Sequence, residues 1–458
     1  MDACAAWQKA RTLFDGGQTL SLEARRASLR ALRAAVTRHE QRLLEGLQAD
    51  FGKCAFDGYA TEILMVLEEI DEAVRRLSRW AKPRRVGVGL ANLPASGRIH
   101  PQPLGAVLVL SPWNYPILLA LAPVVGALAA GNTVVLKPTT QTPHVLQELS
   151  ALLQEAFPQG EVQVAVGGHD VSDALLRQPF DLIFFTGSAA VGRHVMELAS
   201  RHLTPVVLEL GGKSPCLVAA SADLQRAARR IAWGKFVNGG QTCVAPDYLL
   251  VEEAVAQPLL EELLAAVRQF YEVDGSLSPD FAAIISDRHY ARLMGYCADG
   301  QVRCGGRGDA ATRRMEPTIL TGVSPEAAVM QEEIFGPVLP ILTVPSMQAA
   351  VDFVRARPNP LALYLFTRDR KQAEWVLAHT ASGGGCINDT VMHVSCVKLP
   401  FGGVGMSGMG KYHGKASFDT FSNLRGILHK SARWEAPLKY PPHRPGKVDV
   451  LKRLMGQK

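Results

Sequence analysis

No Cys-x-x-Cys pair occurs in this 458-residue chain, and no run of histidines accompanies its eight cysteines. That argues against a zinc framework and predicts no metal. Eight thiols without a pairing pattern suit a reducing cytoplasm better than an oxidising compartment. The start, Met1-Asp2-Ala3-Cys4, lacks the basic-then-apolar order of a secretion signal. Long hydrophobic runs are missing too. Pro116 to Ala130 is uncharged over fifteen residues, short of the ~20 a spanning helix needs, and reads as a buried helix. There is no internal repeat and no low-complexity tract, which removes solenoid and collagen-like readings. A strong charge of one sign is absent from the body of the chain. The formal net charge is +6, but Arg425 to the end holds nine Lys or Arg against two acids, leaving the rest at −1. A nucleic-acid binder needs a basic face on the folded body, so no nucleic-acid partner is expected.

What is present is enough apolar material, 47% of residues, for two or more domains with large cores. Residues 20–50 carry Leu29, Leu32, Val36, Leu43 and Leu47 at helical spacing, and 60–80 reads as a second helix. Residues 82–104 are broken by Pro83, Pro94, Pro101, Pro103 and three glycines, the pattern of a loop or an excursion from the core. From Gly105 the chain alternates. Buried strands are predicted at 106–110, 133–136, 162–166, 181–185 and 205–208, with helices between. A second series follows Glu209, with strands near 247–251, 340–344 and 361–366. Strands apolar throughout and joined by helices indicate parallel sheets covered on both faces. Ligands of such sheets bind beyond the carboxyl ends of the strands.

Several residues stand where chemistry would need them. Cys243 lies in Gly239-Gly240-Gln241-Thr242-Cys243, and Glu209 in Leu208-Glu209-Leu210-Gly211-Gly212. Glycine lets backbone approach a ligand closely. A thiolate can attack a carbonyl carbon, and a carboxylate can then activate water. Asn114 follows a buried strand and could donate to an oxyanion together with the Cys243 amide. A structural thiol, a structural ion pair and a turn-forming asparagine would carry the same three residues. Gly187-Ser188-Ala189-Ala190-Val191-Gly192 joins a strand to a helix. Free N–H groups and the positive helix end there favour a pyrophosphate. An ordinary glycine turn would look alike. Lys137, just past a strand, could reach a ribose or phosphate, or simply be solvated.

Seven segments in order resemble the aldehyde dehydrogenase superfamily: 111–116, 131–138, 185–192, 208–215, 240–248, 332–340 and 399–410. Asn238 to Tyr248, Arg201 to Pro205 and Tyr412 to Lys415 resemble its class 3 branch. The resemblance implies an α/β chain with a Rossmann-like cofactor domain (1–81 and 105–209) and a second α/β catalytic domain (210–400). Segments 82–104 and 401–458 would supply an oligomerisation excursion, bridging strands and a basic tail. It implies a homodimer that uses NAD or NADP. Cys243 would attack the aldehyde, Asn114 would hold the oxyanion, and Glu209 would activate the water that releases the acid. Glu333 would bind the nicotinamide-side ribose with Phe335 packed beside it; alone, that run reads as a loop with a solvated acidic pair.

One departure bears on cofactor choice. NAD-using class 3 members usually carry Glu where this chain has Thr140. A carboxylate there repels a 2′-phosphate, so Thr140 with Lys137 predicts tolerance of NADP. Carried over by position, Tyr115, Met65, Trp233 and Met392 would line an apolar substrate pocket for a medium-chain aliphatic or aromatic aldehyde. The basic, partly apolar run Lys447 to Met455 could touch an anionic membrane weakly, or dock on the partner subunit or stay solvated. Two alternatives remain at this level, a coenzyme A-acylating dehydrogenase and a non-catalytic relative.

Overall fold

A computed structural model of the chain describes residues 3–89, 92–435 and 439–454. Parts of the expected excursion and of the basic tail, including Met455, lie outside those residues. Two predominantly parallel sheets form the body. The first has six strands in the order 408–409, 206–210, 182–187, 106–110, 133–137 and 162–164. Only Gly408–Met409 runs antiparallel, against Leu208 and Glu209. Alternation across the pleat splits the strand Ala106–Leu110 between two cores. Val107 and Val109 face one, while Ala106, Leu108 and Leu110 face the other.

The helix Leu118–Ala130 is buried along its whole length. The long helix Leu22–Phe51 and the helix Leu64–Trp80 pack over it, which is the helical cover expected from the amino-terminal periodicity. The second sheet has seven strands, ordered 301–304, 318–321, 338–344, 248–252, 215–218, 362–366 and 384–387. Its Gln301–Cys304 edge is antiparallel and the other pairs are parallel.

The excursion is more ordered than the loop reading of 82–104. Arg84–Val86, Ala95–Pro103 and Ser422–Lys430 form a three-stranded antiparallel sheet. Prolines lack the N–H a central strand needs. Beyond Ile99, however, the strand Ala95–Pro103 has a neighbour on one side only, so Pro101 and Pro103 sit where one edge is free. The segment after Phe401 divides. Gly408–Met409 closes the first sheet, and the helix Gly414–Thr420 packs on Leu118–Ala130. Only 422–430 joins the excursion.

Candidate active site

The chain leaves the strand Ala106–Leu110 toward Thr133–Lys137 on one side and returns to Leu182–Gly187 on the other. A crevice forms at such a reversal of strand order. Pro112, Trp113 and Asn114 follow the first of these strands, Thr186 to Ser188 end the second, and Glu209 lies near the end of the next strand. The second sheet meets this crevice with the opposite ends of its strands. Gly211, Cys243, Glu333 and Leu361 all precede its strands, and all line the same cleft of about 230 Å³. The carboxyl-end rule therefore holds for the first sheet and is reversed for the second.

The loop that carries Cys243 is fixed from both sides. The helix Leu224–Phe236 runs into a turn with left-handed backbone at Asn238, Gly239 and Gly240. At Gly240 (φ 73°) a Cβ would lie 2.4 Å from the Gly336 carbonyl oxygen, so glycine lets the thiol loop pack directly on the Glu333–Phe335 loop. The Asn238 side chain donates to the Asn114 carbonyl at 2.8 Å. Asn114 Nδ2 donates to the Gln241 carbonyl at 3.0 Å. The Gln241 amide bonds to the Ala283 carbonyl and accepts from Ile285 N–H, both at 3.0 Å. Tyr115 and Thr242 hydroxyls meet at 2.6 Å, and Tyr364 donates to the Val244 carbonyl at 2.6 Å. An asparagine amide has two N–H groups, so Asn114 keeps one beyond the Gln241 bond.

The electrostatics are those of a desolvated cleft. The Glu209 side chain is buried and neither carboxylate oxygen has a donor among the described residues. Burial holds its carboxyl well above the usual range, opposed by the charge of Lys411. Burial, then the charges of Glu333 and Glu209, push the Cys243 thiol far up, while its own backbone N–H and that of Val244 pull it down. Glu333 is pushed up to about 8 by burial and by Asp247, with the Gly212 N–H, Lys213 and Lys235 opposing. Its Oε1 has no donor among the described residues. Phe335 is held at φ 50°, a costly backbone for an aromatic residue. Its ring stands edge-on to Trp113 at 5.4 Å, and Trp113 meets His289 at 5.9 Å.

A wider groove opens from the cleft, sharing Ser188, Gly211, His289 and Glu333 with it. Ser188 caps the helix Ala189–Ala199 by accepting from Val191 N–H, and Ala189 and Ala190 line the groove at that helix start. Gly192 sits in the first turns of the same helix, buried against Leu210. These features fit a dinucleotide: an open helix start for pyrophosphate, and an orphan carboxylate oxygen for a ribose hydroxyl. Lys137 is half-buried, its ammonium lowered by desolvation, and Thr140 is exposed three residues on.

The residues expected around the substrate are dispersed. Tyr115 is engaged by Thr242. Met65 sits in the core. Trp233 lines a separate cavity with Phe236 and Phe281, and Met392 is exposed on the loop after the strand Gly384–Ile387. The cleft itself is lined by Leu119, Leu361, Phe401 and Tyr412, which sequence reasoning did not single out. Leu119, one helical turn past Tyr115, was within reach of that reasoning.

A family model described as the aldehyde dehydrogenase family matches residues 1–427. The chain belongs to the aldehyde dehydrogenase family. It is 43% identical over 444 residues to the 4,4'-diaponeurosporen-aldehyde dehydrogenase of Staphylococcus aureus, covering 96% of both chains. It is 45% identical over 437 residues to the dimeric NADP-preferring aldehyde dehydrogenase of Rattus norvegicus, covering 95% of this chain and 96% of the relative. A solved structure, the substrate-bound state of Staphylococcus aureus AldH, superposes with a TM-score of 0.95 at 42% identity, over 98% of this chain and 99% of that one. This aldehyde dehydrogenase thus oxidises aldehydes with NAD or NADP. Among the described residues no helix is long and apolar enough to cross a membrane.

Proposed function

We propose that this aldehyde dehydrogenase converts an apolar aldehyde, medium-chain aliphatic or aromatic, to its carboxylate through a thioester on Cys243. The observation that carries this reading is the convergence of Cys243, Asn114, Glu209 and Glu333 on one desolvated cleft. In its ionised form a buried carboxylate with raised proton affinity is a strong base, and as such Glu209 can take the proton that the thiol gives up. The thiolate attacks the carbonyl carbon. The spare Asn114 N–H and the Cys243 backbone N–H hold the oxyanion that forms. NAD or NADP, held by Glu333 and the 185–192 turn, would supply the acceptor for the hydride that leaves the carbonyl carbon. After passing that first proton to solvent, Glu209 removes a proton from the water that attacks the thioester, and the thiolate leaves as the acid forms. Glu333 holds a ribose hydroxyl, and the 185–192 turn cradles the pyrophosphate. Segments 1–81 and 105–209, which carry five of the six strands of the first sheet, form the cofactor domain, and the seven-stranded sheet belongs to the 210–400 catalytic domain.

The test is a pair of variants. Cys243→Ser should lose aldehyde-dependent cofactor reduction while still binding NADP. Glu209→Gln should give a burst of reduced cofactor, then slow turnover with acyl-Cys243 visible by intact mass. Turnover by Cys243→Ser, or an unchanged steady state in Glu209→Gln, would reject these roles.

NADP acceptance rests on Thr140 and Lys137. A carboxylate placed about 4 Å from a 2′-phosphate costs roughly 1 kcal/mol even at water's dielectric. Thr140→Glu should therefore shift the NADP:NAD ratio of kcat/KM toward NAD by about fivefold or more. An unmoved ratio places the 2′-phosphate elsewhere. The carboxyl-terminal helix Lys447–Leu454, with Val448, Val450 and Leu451 exposed, is the segment suited to weak contact with an anionic surface.

A further inference from the structure

A second concavity, of about 1160 Å³, shares no residue with the catalytic cleft or the cofactor groove. It lies where the end of the helix Leu64–Trp80 meets the three-stranded sheet and the loop before Phe401. Six cations converge on it: Arg79, Lys82, Arg84, Arg85, Arg98 and Lys398. Two more, Arg76 and Lys415, are already held by Glu72 and Asp419. Those two acids are the only carboxylates among its described lining residues, so the six have no acidic counterpart within the groove.

Two further observations point to an anion. Arg85 and Arg98 are direct partners across the antiparallel pair Arg84–Val86 and Ala95–Pro103. Like charges directly opposite each other destabilise a sheet, yet here they are placed face to face. In addition, Arg98 Nε is buried with no acceptor among the described residues. A buried N–H of a charged group without an acceptor carries a desolvation cost. One bound anion would relieve both.

The chemistry selects the anion. Guanidinium forks match phosphate oxygens in pairs. The concavity is slightly larger than the roughly 300–1,000 Å³ of a usual small-molecule site, with Trp80 and Ile99 as an apolar wall. We propose that this groove binds a phosphate group or a short run of them, as carried by a soluble polyphosphate or by a phospholipid headgroup.

The experiment uses the full chain with saturating NADP, so that the cofactor's own phosphate sites are filled. Inorganic tripolyphosphate is titrated calorimetrically. Vesicles of phosphatidylglycerol and, as control, phosphatidylcholine are tested by co-sedimentation. The protein should bind tripolyphosphate or phosphatidylglycerol vesicles but not phosphatidylcholine, and which of the two binds identifies the soluble or lipid source. Arg85→Gln/Arg98→Gln should weaken that binding by about tenfold or more, as losing charge-assisted hydrogen bonds requires. It should leave turnover and oligomeric state unchanged, and without ligand it should melt no lower than the parent. Lys398→Gln, on the facing loop, gives a second reading if the double variant fails to fold. Absence of binding to both probes, or binding unaffected by these substitutions, overturns the proposal. So does loss of the oligomer in the double variant, because the arginines would then be answering acids of a second subunit.

Discussion

Glu209 is kept at a cost to the fold. Its carboxyl is desolvated, lacks donors, and titrates well above the usual range. Unfolded, it would lose its proton near the ordinary value of about 4.3. The sign follows from linkage: above that value the unfolded state gives up a proton that the folded state retains, so stability falls as pH rises toward the folded-state value. Glu209→Gln should therefore raise the melting temperature at pH 8, with the gain vanishing below about pH 4, where both states are protonated. A lower Tm at pH 8 would mean that the carboxylate has a structural partner. At this scale the sequence was informative wherever a reactive residue sat within a few positions of glycine, as Cys243 does after Gly240 and Glu209 before Gly211. Gln241 and Asn238 stand in the motif, but nothing there reveals that they clamp Asn114 across more than a hundred positions. A hydrogen bond between distant residues leaves no local pattern to read.

Among the elements, the helix Leu118–Ala130 shows both what patterning reveals and what it hides. Its uncharged run announces a buried helix, but nothing local caps it. Ile117, at its start, makes no side-chain cap. The cap comes from Glu62, which accepts from Ile117 and Leu118 N–H at 2.8 and 3.3 Å. Glu62 is in turn paired with Lys53 at 2.8 Å, both side chains fully buried, and the Lys53 ammonium lies 4.1 Å from the Tyr115 ring. Removing one member of a buried pair strands the other, at about 3–5 kcal/mol. Lys53→Met should lose roughly that much in urea unfolding. Because Tyr115 holds Thr242 next to the nucleophile, kcat should fall as well. A loss under about 1 kcal/mol, the range of an exposed pair, would show that water reaches the pair. The strand Ala95–Pro103 is the converse case. Its prolines suggest a loop, and only its long pairing with Ser422–Lys430, more than three hundred positions away, makes it a strand.

Across the whole molecule, strand order decides where chemistry can happen, and strand order is not written in local patterns. Apolar runs revealed most central strands of both sheets; they could not reveal that the second sheet turns its amino ends to the cleft. Among the described residues the same order leaves sheet edges open. Gly384–Ile387 ends the seven-stranded sheet and Ser422–Lys430 ends the projecting one. Open edges are templates for another chain, and the second presents Leu424 and Leu428 about half exposed. A two-fold pairing of the projecting edge of one subunit with the sheet edge of its partner would cover both edges in each copy and close the assembly. Leu428→Asp should then weaken such a pairing by about tenfold or more, since burying one leucine contributes ~1.5–3 kcal/mol. Sedimentation over a concentration series would measure it, with turnover per subunit retained. A dimer of undiminished affinity would place the contact on another face.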